Sequence, residues 1–233
     1  MNELDRLEII IGKKNIEKIK NKNIFLIGLG GVGGYVFESL VRSGINNITI
    51  VDGDKIDITN INRQILALTS TINKEKTLAA KNRALEINKN INIKTITKQV
   101  TKHDIKEMNL SQYDYVIDAC DTLEVKEEII RICTKEKIKF ISCMGTGNKM
   151  KPELLEITDI RKTSYDPLSK KIRKMVKEEN IKGKIPVIYS KEQPIKTNTK
   201  KVGSNAFVPA IAGLMITSYV INNIVGEKWK YMI

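Results

Sequence analysis

The segment Ile24-Phe25-Leu26-Ile27-Gly28-Leu29-Gly30-Gly31-Val32-Gly33-Gly34 leaves the chain little choice of fold, because an unbroken apolar run passes directly into a cluster of glycines. Such a run, bounded by glycine, reads as a buried strand. A helix follows, with Val36, Phe37, Leu40 and Val41 at helical intervals and Gly44 at its end. The spacing Gly28-x-Gly30-x-x-Gly33 precedes by 19 residues an acid, Asp52, which closes the next apolar run. In this fingerprint glycines permit a tight turn and let backbone N–H groups approach phosphate at a helix N-terminus, while the acid accepts ribose hydroxyls. Taken alone it suggests NAD.

The remaining pattern fills in the architecture. A short amphipathic helical region is expected over residues 6–22, with Ile16 and Ile19 among lysines, and the first strand over Ile24–Ile27. The helix Val32–Ser43, the strand Asn47–Asp52, the helix Lys74–Asn88 and a third strand over Ile91–Val100 follow. A fourth strand, Tyr113–Asp118, the helix Val125–Glu136 and the strand Lys139–Cys143 complete a further strand-helix-strand step. Alternation of this kind implies an α/β, Rossmann-like, mainly parallel doubly wound sheet, in which ligands bind beyond the carboxyl ends of the strands. The Gly28 turn, Asp52 and Asp121 all fall at such ends.

Beyond Gly145-Thr146-Gly147 a C-terminal extension of short strands and helices is expected. It contains strands at Leu154–Ile157 and Val187–Ser190, a basic amphipathic helix at Pro167–Glu179, and a polar, mobile connection over Lys196–Ser204. Residues 1–233 read as a single domain, with a nucleotide-binding core over 22–145 and the extension over 146–233. Ala206–Val225 is largely apolar, but it is only marginally long enough to span a bilayer and contains Gly213, Thr217 and Ser218. A core or subunit-interface helix is expected there, and Trp229 is expected to pack a terminal segment or an interface.

Charge bears on partners. Lysine and arginine number 40 against 27 acids, a formal net charge of +13, which suits a polyanionic partner such as nucleic acid. The abundance of Ile, Lys and Asn, residues with A/T-rich codons, offers a second source for the excess lysine. No cationic region followed by an apolar stretch opens the chain, so a cytoplasmic location is expected. Cys120, Cys133 and Cys143 form no C-x-x-C pair, which leaves neither a disulfide framework nor zinc-clasp spacing and predicts three reduced thiols. His103, the only histidine, is expected on the surface in a polar linker.

The polar residues after the fingerprint carry chemistry that hydride transfer does not need. Arg63 and Lys76 would set two cations near phosphates, and Asp121 offers an oxygen ligand for magnesium (Mg). Such groups stabilise the charge that accumulates on a transferring phosphoryl or nucleotidyl group. No G-x-x-x-x-G-K-[ST] loop is present, so a P-loop mechanism is not indicated.

Gly28-Leu29-Gly30-Gly31-Val32-Gly33, Asp52-Gly53-Asp54, Asn60-Ile61-Asn62-Arg63-Gln64, Lys76 and Asp118-Ala119-Cys120-Asp121-Thr122 closely resemble the ThiF/MoeB/ubiquitin-activating superfamily of ATP-dependent adenylating enzymes. The resemblance covers nearly the whole chain. It implies an ATP site formed by Gly28, Gly30, Gly31, Gly33, Asp52, Asp54, Asn60, Arg63, Gln64, Lys76, Asp121 and Thr122. Asp121 would hold magnesium, and Arg63 and Lys76 would act on the α-phosphate. Arg6, in Asp5-Arg6-Leu7-Glu8-Ile9-Ile10-Ile11-Gly12, resembles an arginine that reaches ATP across the interface of a homodimer.

Within that superfamily, Met144 to Lys149, Asp159 to Ser164 with Asp166-Pro167-Leu168, Tyr189 to Pro194 and Gly203 to Pro209 look like the tRNA threonylcarbamoyladenosine dehydratase branch. The implied reaction adenylates the threonyl carboxylate of that modified nucleoside, beside the tRNA anticodon, and lets its own ureido group close a ring. Intramolecular attack of this kind has a high effective molarity and requires no covalent enzyme intermediate. The extension would then serve substrate and dimer contacts, with Lys170, Lys171, Arg173, Lys174 and Lys177 facing tRNA phosphates. A sulfur-transfer protein is a further candidate partner. Two other readings stay open: activation of the C-terminal glycine of a ubiquitin-like sulfur carrier, and a NAD-binding module. Sulfur-carrier activators usually carry two C-x-x-C pairs and often a nucleophilic cysteine downstream, and this chain has neither.

Overall fold

The apolar runs form β1 (Asn23–Ile27), β2 (Asn47–Val51), β3 (Asn92–Ile96), β4 (Tyr115–Asp118), β5 (Phe140–Cys143), β6 (Leu155–Asp159) and β7 (Pro186–Ser190). In the computed structural model, which describes residues 3–199 and 201–226, they make one sheet in the order β3-β2-β1-β4-β5-β7-β6. Every neighbouring pair is parallel except β6 with β7. The central strands are apolar on both faces because both are covered. Ile24 and Leu26 of β1 point into one core with Tyr115 and Ile117 of β4, while Phe25, Ile27 and Val116 point into the other.

The first core is closed by α3 (Gly33–Arg42), α4 (Lys76–Ile87) and α8 (Val208–Val225), the second by α5 (Lys102–Glu107), α6 (Leu123–Lys135) and α7 (Pro167–Glu178). Among the described residues α8 is the one helix long and apolar enough to cross a membrane. It is instead a core helix lying on α3: Ala212, Ile216 and Val220 are fully buried, and a Cβ on Gly213 would come within 2.6 Å of the Val32 carbonyl oxygen. Thr217, one of the polar residues that interrupts its apolar run, shares a hydrogen bond of 2.7 Å with Ser39 of α3. Trp229 lies outside the described residues.

The glycine turn is held by close approach. Gly28 has φ +89°, and a Cβ on Gly33 would fall 1.8 Å from the Gly28 carbonyl oxygen. Gly33→Ala is therefore expected to lower stability by about 1–3 kcal/mol or more, read as a reduced urea midpoint. An unchanged midpoint would mean that the turn opens to admit a methyl group.

Four expectations need correction. The helical region over 6–22 is two helices, α1 (Asp5–Ile11) and α2 (Lys13–Lys20), broken where Gly12 adopts φ +79°. The third strand stops at Ile96 because its only partner, β2, ends at Val51, and residues 98–100 leave the sheet to line the cleft described below. His103 is exposed as expected, but on α5 and not in a linker. The signal for that helix was the capping box Thr101-x-x-Asp104, in which the Asp104 carboxylate accepts the Thr101 N–H at 2.8 Å. The connection expected to be mobile over 196–204 is held at its C-terminal end: the Asn148 side chain accepts the Gly203 N–H at 2.6 Å, and the Ser204 carbonyl accepts from Asn62 at 3.0 Å.

Candidate active site

At the carboxyl ends of β1, β2, β4 and β5 lies a cleft of about 680 Å³. Its floor is the glycine turn. The Gly28 N–H donates to the Val51 carbonyl at 2.8 Å, and Asp52, at the end of β2, accepts the Leu29 N–H at 2.6 Å through Oδ2 and the Asp54 N–H at 2.8 Å through Oδ1. Asp52 thus fixes the turn, and each oxygen keeps a further lone pair for a ligand hydroxyl. Burial raises its carboxyl above the ordinary value, against the opposing effect of Lys76 and the two N–H donors.

Lys76 is the first residue of α4, and its buried Nζ lies 2.7 Å from Asp54 Oδ2 and 3.8 Å from Asp52 Oδ1. Gln99 donates to the other Asp54 oxygen at 2.6 Å. Burial alone would raise the Asp54 carboxyl, but the Lys76 hydrogen bond and charge prevail and hold it below the ordinary range.

The second cation is held differently. Asp57 caps a 3-10 turn over Ile58–Asn60 by accepting the Thr59 N–H at 2.8 Å. Arg63 follows that turn and donates to the Thr59 carbonyl at 2.8 Å and to Asn62 Oδ1 at 2.9 Å. Both acceptors are neutral, so the guanidinium brings an unneutralised positive charge to the cleft. Gln64 lies beside it, 7% exposed, with an Oε1 that has no hydrogen-bond partner. A buried polar atom left unsatisfied in a cleft wall is a position where a ligand donor is missing.

Asp121 and Thr122 follow β4 at the opposite wall. Asp121 is exposed and makes no polar side-chain contact to a described residue, so its carboxylate is free for an outside cation. It does not cap α6: Thr122 stands at that position, without a side-chain cap bond. The loop bearing it is anchored from beneath by Asp118 and Lys126, both fully buried. Lys126 Nζ donates to both Asp118 oxygens, at 3.0 and 2.9 Å, Ser142 Oγ donates at 2.5 Å, and the Cys120 N–H at 3.1 Å. Burial opposes the charge on Lys126, yet Asp118 outweighs it and holds the ammonium above its ordinary value.

The cysteines offer no nucleophile. Burial pushes the Cys120 thiol well up, and its S–H points to Asp118 Oδ1 at 3.1 Å. Cys143 is pushed up to about 12 by burial, and Cys133 is raised further by the same cause.

The cleft therefore gathers Gly28, Gly30, Gly31, Asp52, Asp54, Asn60, Arg63, Gln64, Lys76, Asp121 and Thr122. Gly33 lies beneath the turn without lining the cleft, and Arg6 lies on α1 outside it, exposed. Residues not singled out for the cleft also line it: Gln99 from the end of β3, Gly145, Thr146 and Gly147 after β5, and Leu168 in the first turn of α7. For Gln99 the available signal was the polar Lys98-Gln99 at a strand end, masked by the extension of β3 to Val100.

A glycine turn, two cations and a free carboxylate at the strand ends of a doubly wound sheet suit a nucleotide phosphate chain. The chain belongs to the ThiF family, whose model matches residues 4–231. It is 37% identical to the tRNA threonylcarbamoyladenosine dehydratase of Bacillus subtilis, over 97% of this chain and 96% of that protein. The corresponding Escherichia coli enzyme is 33% identical over 78% of this chain and 71% of its own length. A crystal structure of the E. coli enzyme in complex with ATP superposes with a TM-score of 0.90 at 28% identity, covering 98% of this chain and 96% of that one.

Proposed function

We propose that this chain is an ATP-dependent tRNA threonylcarbamoyladenosine dehydratase. The observation that carries the reading is the single cleft in which the fingerprint turn, Arg63, Lys76 and Asp121 meet, in a chain 37% identical from end to end to an enzyme of that name. ATP would lie over the Gly28 turn with its ribose toward Asp52, and its phosphates would meet the unneutralised Arg63 and the Lys76 ammonium. The unsatisfied Gln64 Oε1 supports a ligand donor there. Asp121 would hold magnesium, which supplies positive charge to the phosphates when bound. Such a hard cation would be shared between this carboxylate and the phosphate oxygens.

In the reaction, the threonyl carboxylate attacks the α-phosphorus and pyrophosphate leaves. The ureido group of the same nucleoside then attacks the acyl carbon, giving up its proton to solvent as AMP departs. Arg63 and Lys76 stabilise the charge that builds on the α-phosphate oxygens. No side chain need act as nucleophile, consistent with protonated thiols. ATP–pyrophosphate exchange tests the reading: stimulation by tRNA bearing threonylcarbamoyladenosine, with a product nucleoside lighter by one water, is expected. Stimulation by a sulfur-carrier protein, or NAD binding without exchange, would overturn it.

The extension supports an RNA surface. On α7, Ile172, Met175 and Val176 are buried, while Lys170, Lys171, Lys174 and Lys177 are exposed. These lysines border a groove of about 1180 Å³ with Arg161 and Lys182. Arg173 lines the same groove and is held there by donating to the Thr163 carbonyl at 2.9 Å. Charge reversal at Lys170, Lys171 and Lys174 is expected to weaken tRNA binding about tenfold or more and to flatten its salt dependence. Filter binding across a salt series measures both, and an unchanged slope would move the RNA surface elsewhere.

A homodimer would give Arg6 its role, since on α1 it neighbours Ile9 and Ile10, each 79% exposed. A cytoplasmic location goes with a tRNA substrate, and a sulfur-transfer protein remains a candidate partner.

A further inference from the structure

Lys149 has no part in the site described so far, yet its side chain is 1% exposed. Its Nζ donates to the Gly145 carbonyl at 2.8 Å and stands 4.0 Å from Asp166 Oδ1. Asp166 is itself buried and caps α7, its Oδ2 accepting the Ser169 N–H at 2.7 Å and the Ser169 hydroxyl at 2.6 Å. The Gly145 N–H points to the same oxygen at 3.5 Å. A Cβ on Gly145 would lie 2.4 Å from Asp166 Oδ1, so only glycine lets the two segments come this close.

Two residues in left-handed backbone flank the contact, Asn148 at φ +55° and Tyr165 at φ +54°. Side chains rarely adopt that conformation unless the surroundings impose it. From the other side, the Glu192 carboxylate accepts the Met150 and Lys151 N–H groups at 3.0 and 2.8 Å, and Asn205 donates to the Lys149 carbonyl at 2.7 Å. A buried lysine, a capping aspartate and a glycine thus clasp two walls together. One wall is Gly145–Gly147. The other is the first turn of α7, where Leu168 enters the cleft within two turns of Lys170, Lys171 and Lys174.

We propose that Lys149 and Asp166 are positioning residues for the acceptor end of the cleft. They set the Gly145–Gly147 wall against α7, and so fix where an RNA held on α7 presents its carboxylate to the α-phosphate. The inference rests on the functional reading above. It separates the two ends of the cleft: nucleotide contacts come from the Gly28 turn, Arg63 and Lys76, whereas the clasp governs only the register of the second substrate.

The test compares Asp166→Asn, which keeps a helix cap of the same shape but removes the charge facing Lys149, with the pair Lys149→Met and Asp166→Asn, which leaves no buried charge at the clasp. Rates are taken well below each variant's Tm. The expected result is a kcat/KM for tRNA bearing threonylcarbamoyladenosine reduced about 10- to 100-fold, with the Kd for ATP unchanged by calorimetry. The loss persists in the double variant even where its Tm recovers, a split that a merely structural clasp would not produce. Wild-type kcat/KM in Asp166→Asn, or ATP affinity falling in parallel with activity, would overturn the proposal. A wild-type chain inactive on this tRNA overturns the functional reading and the clasp's role together, whereas an active wild type matched by Asp166→Asn overturns the clasp alone.

Discussion

Arg63→Ala and Asp121→Ala are each expected to slow tRNA-dependent ATP–pyrophosphate exchange by about 10²–10³-fold. The two act from opposite walls. Arg63 carries the guanidinium that has only neutral acceptors, and Asp121 the carboxylate that no described side chain neutralises. Neither contributes to a core. Among the described residues Arg63 bonds only to Thr59 and Asn62, nearby in sequence, and Asp121 is exposed, so both variants should retain the wild-type Tm. A lowered rate in a fully folded variant separates chemistry from stability. Exchange at the wild-type rate in either one would remove that residue from the proposed site. For Asp121→Ala the loss should be partly relieved at high magnesium concentration, because the group removed is the proposed protein ligand of the ion and mass action restores occupancy.

The second large effect is on stability. Lys126→Met leaves the Asp118 carboxylate 0% exposed without its cation, and removing one partner of a buried ion pair costs about 3–5 kcal/mol. In a chain of this size that corresponds to a fall in Tm on the order of 10 °C. Adding Asp118→Asn to Lys126→Met should recover part of the loss, since no uncompensated charge then remains, although Ser142 and Cys120 keep a hydrogen-bonding partner. Thermal unfolding of the single and double variants measures this directly. A double variant less stable than Lys126→Met would mean that the carboxylate is favourable even without the ammonium. Because the pair underlies the loop carrying Asp121, Lys126→Met should also loosen magnesium dependence before the protein unfolds.

The core of the fold was legible because each central strand is a short apolar run between turn signals, and the parallel order follows from helices alternating with them. The edges were harder to read. Ile91, Ile93 and Ile96 alternate as an edge strand should, but nothing local marks where β2 stops offering partners, so β3 was expected to run to Val100. The break at Gly12 was hidden by apolar spacing that continues across it from Ile9 to Ile16 and Ile19. The cleft residues were readable as a set since they stand at strand ends. Their mutual pairing was not, because Lys76 and Asp54 are 22 residues apart and only the tertiary fold brings them to 2.7 Å. The pairing of Asp118 with Lys126 was hidden in the same way, since Asp118 ends a strand and Lys126 stands on the helix after it. Lys149 and Asp166, far apart in sequence and both polar, gave no signal of burial at all.

The contact between Lys76 and Asp54 has a consequence for how a nucleotide would arrive. An ammonium at that depth has given up most of its water, and an unpaired charge there would be costly. Asp54, 2.7 Å away, supplies the anion that compensates that loss. On the proposed function, an incoming phosphate would exchange places with a carboxylate whose own side chain is half open to water. The heavy dehydration of the lysine would then be completed once, when the chain folds, and each encounter with a nucleotide would be a swap of one oxyanion for another.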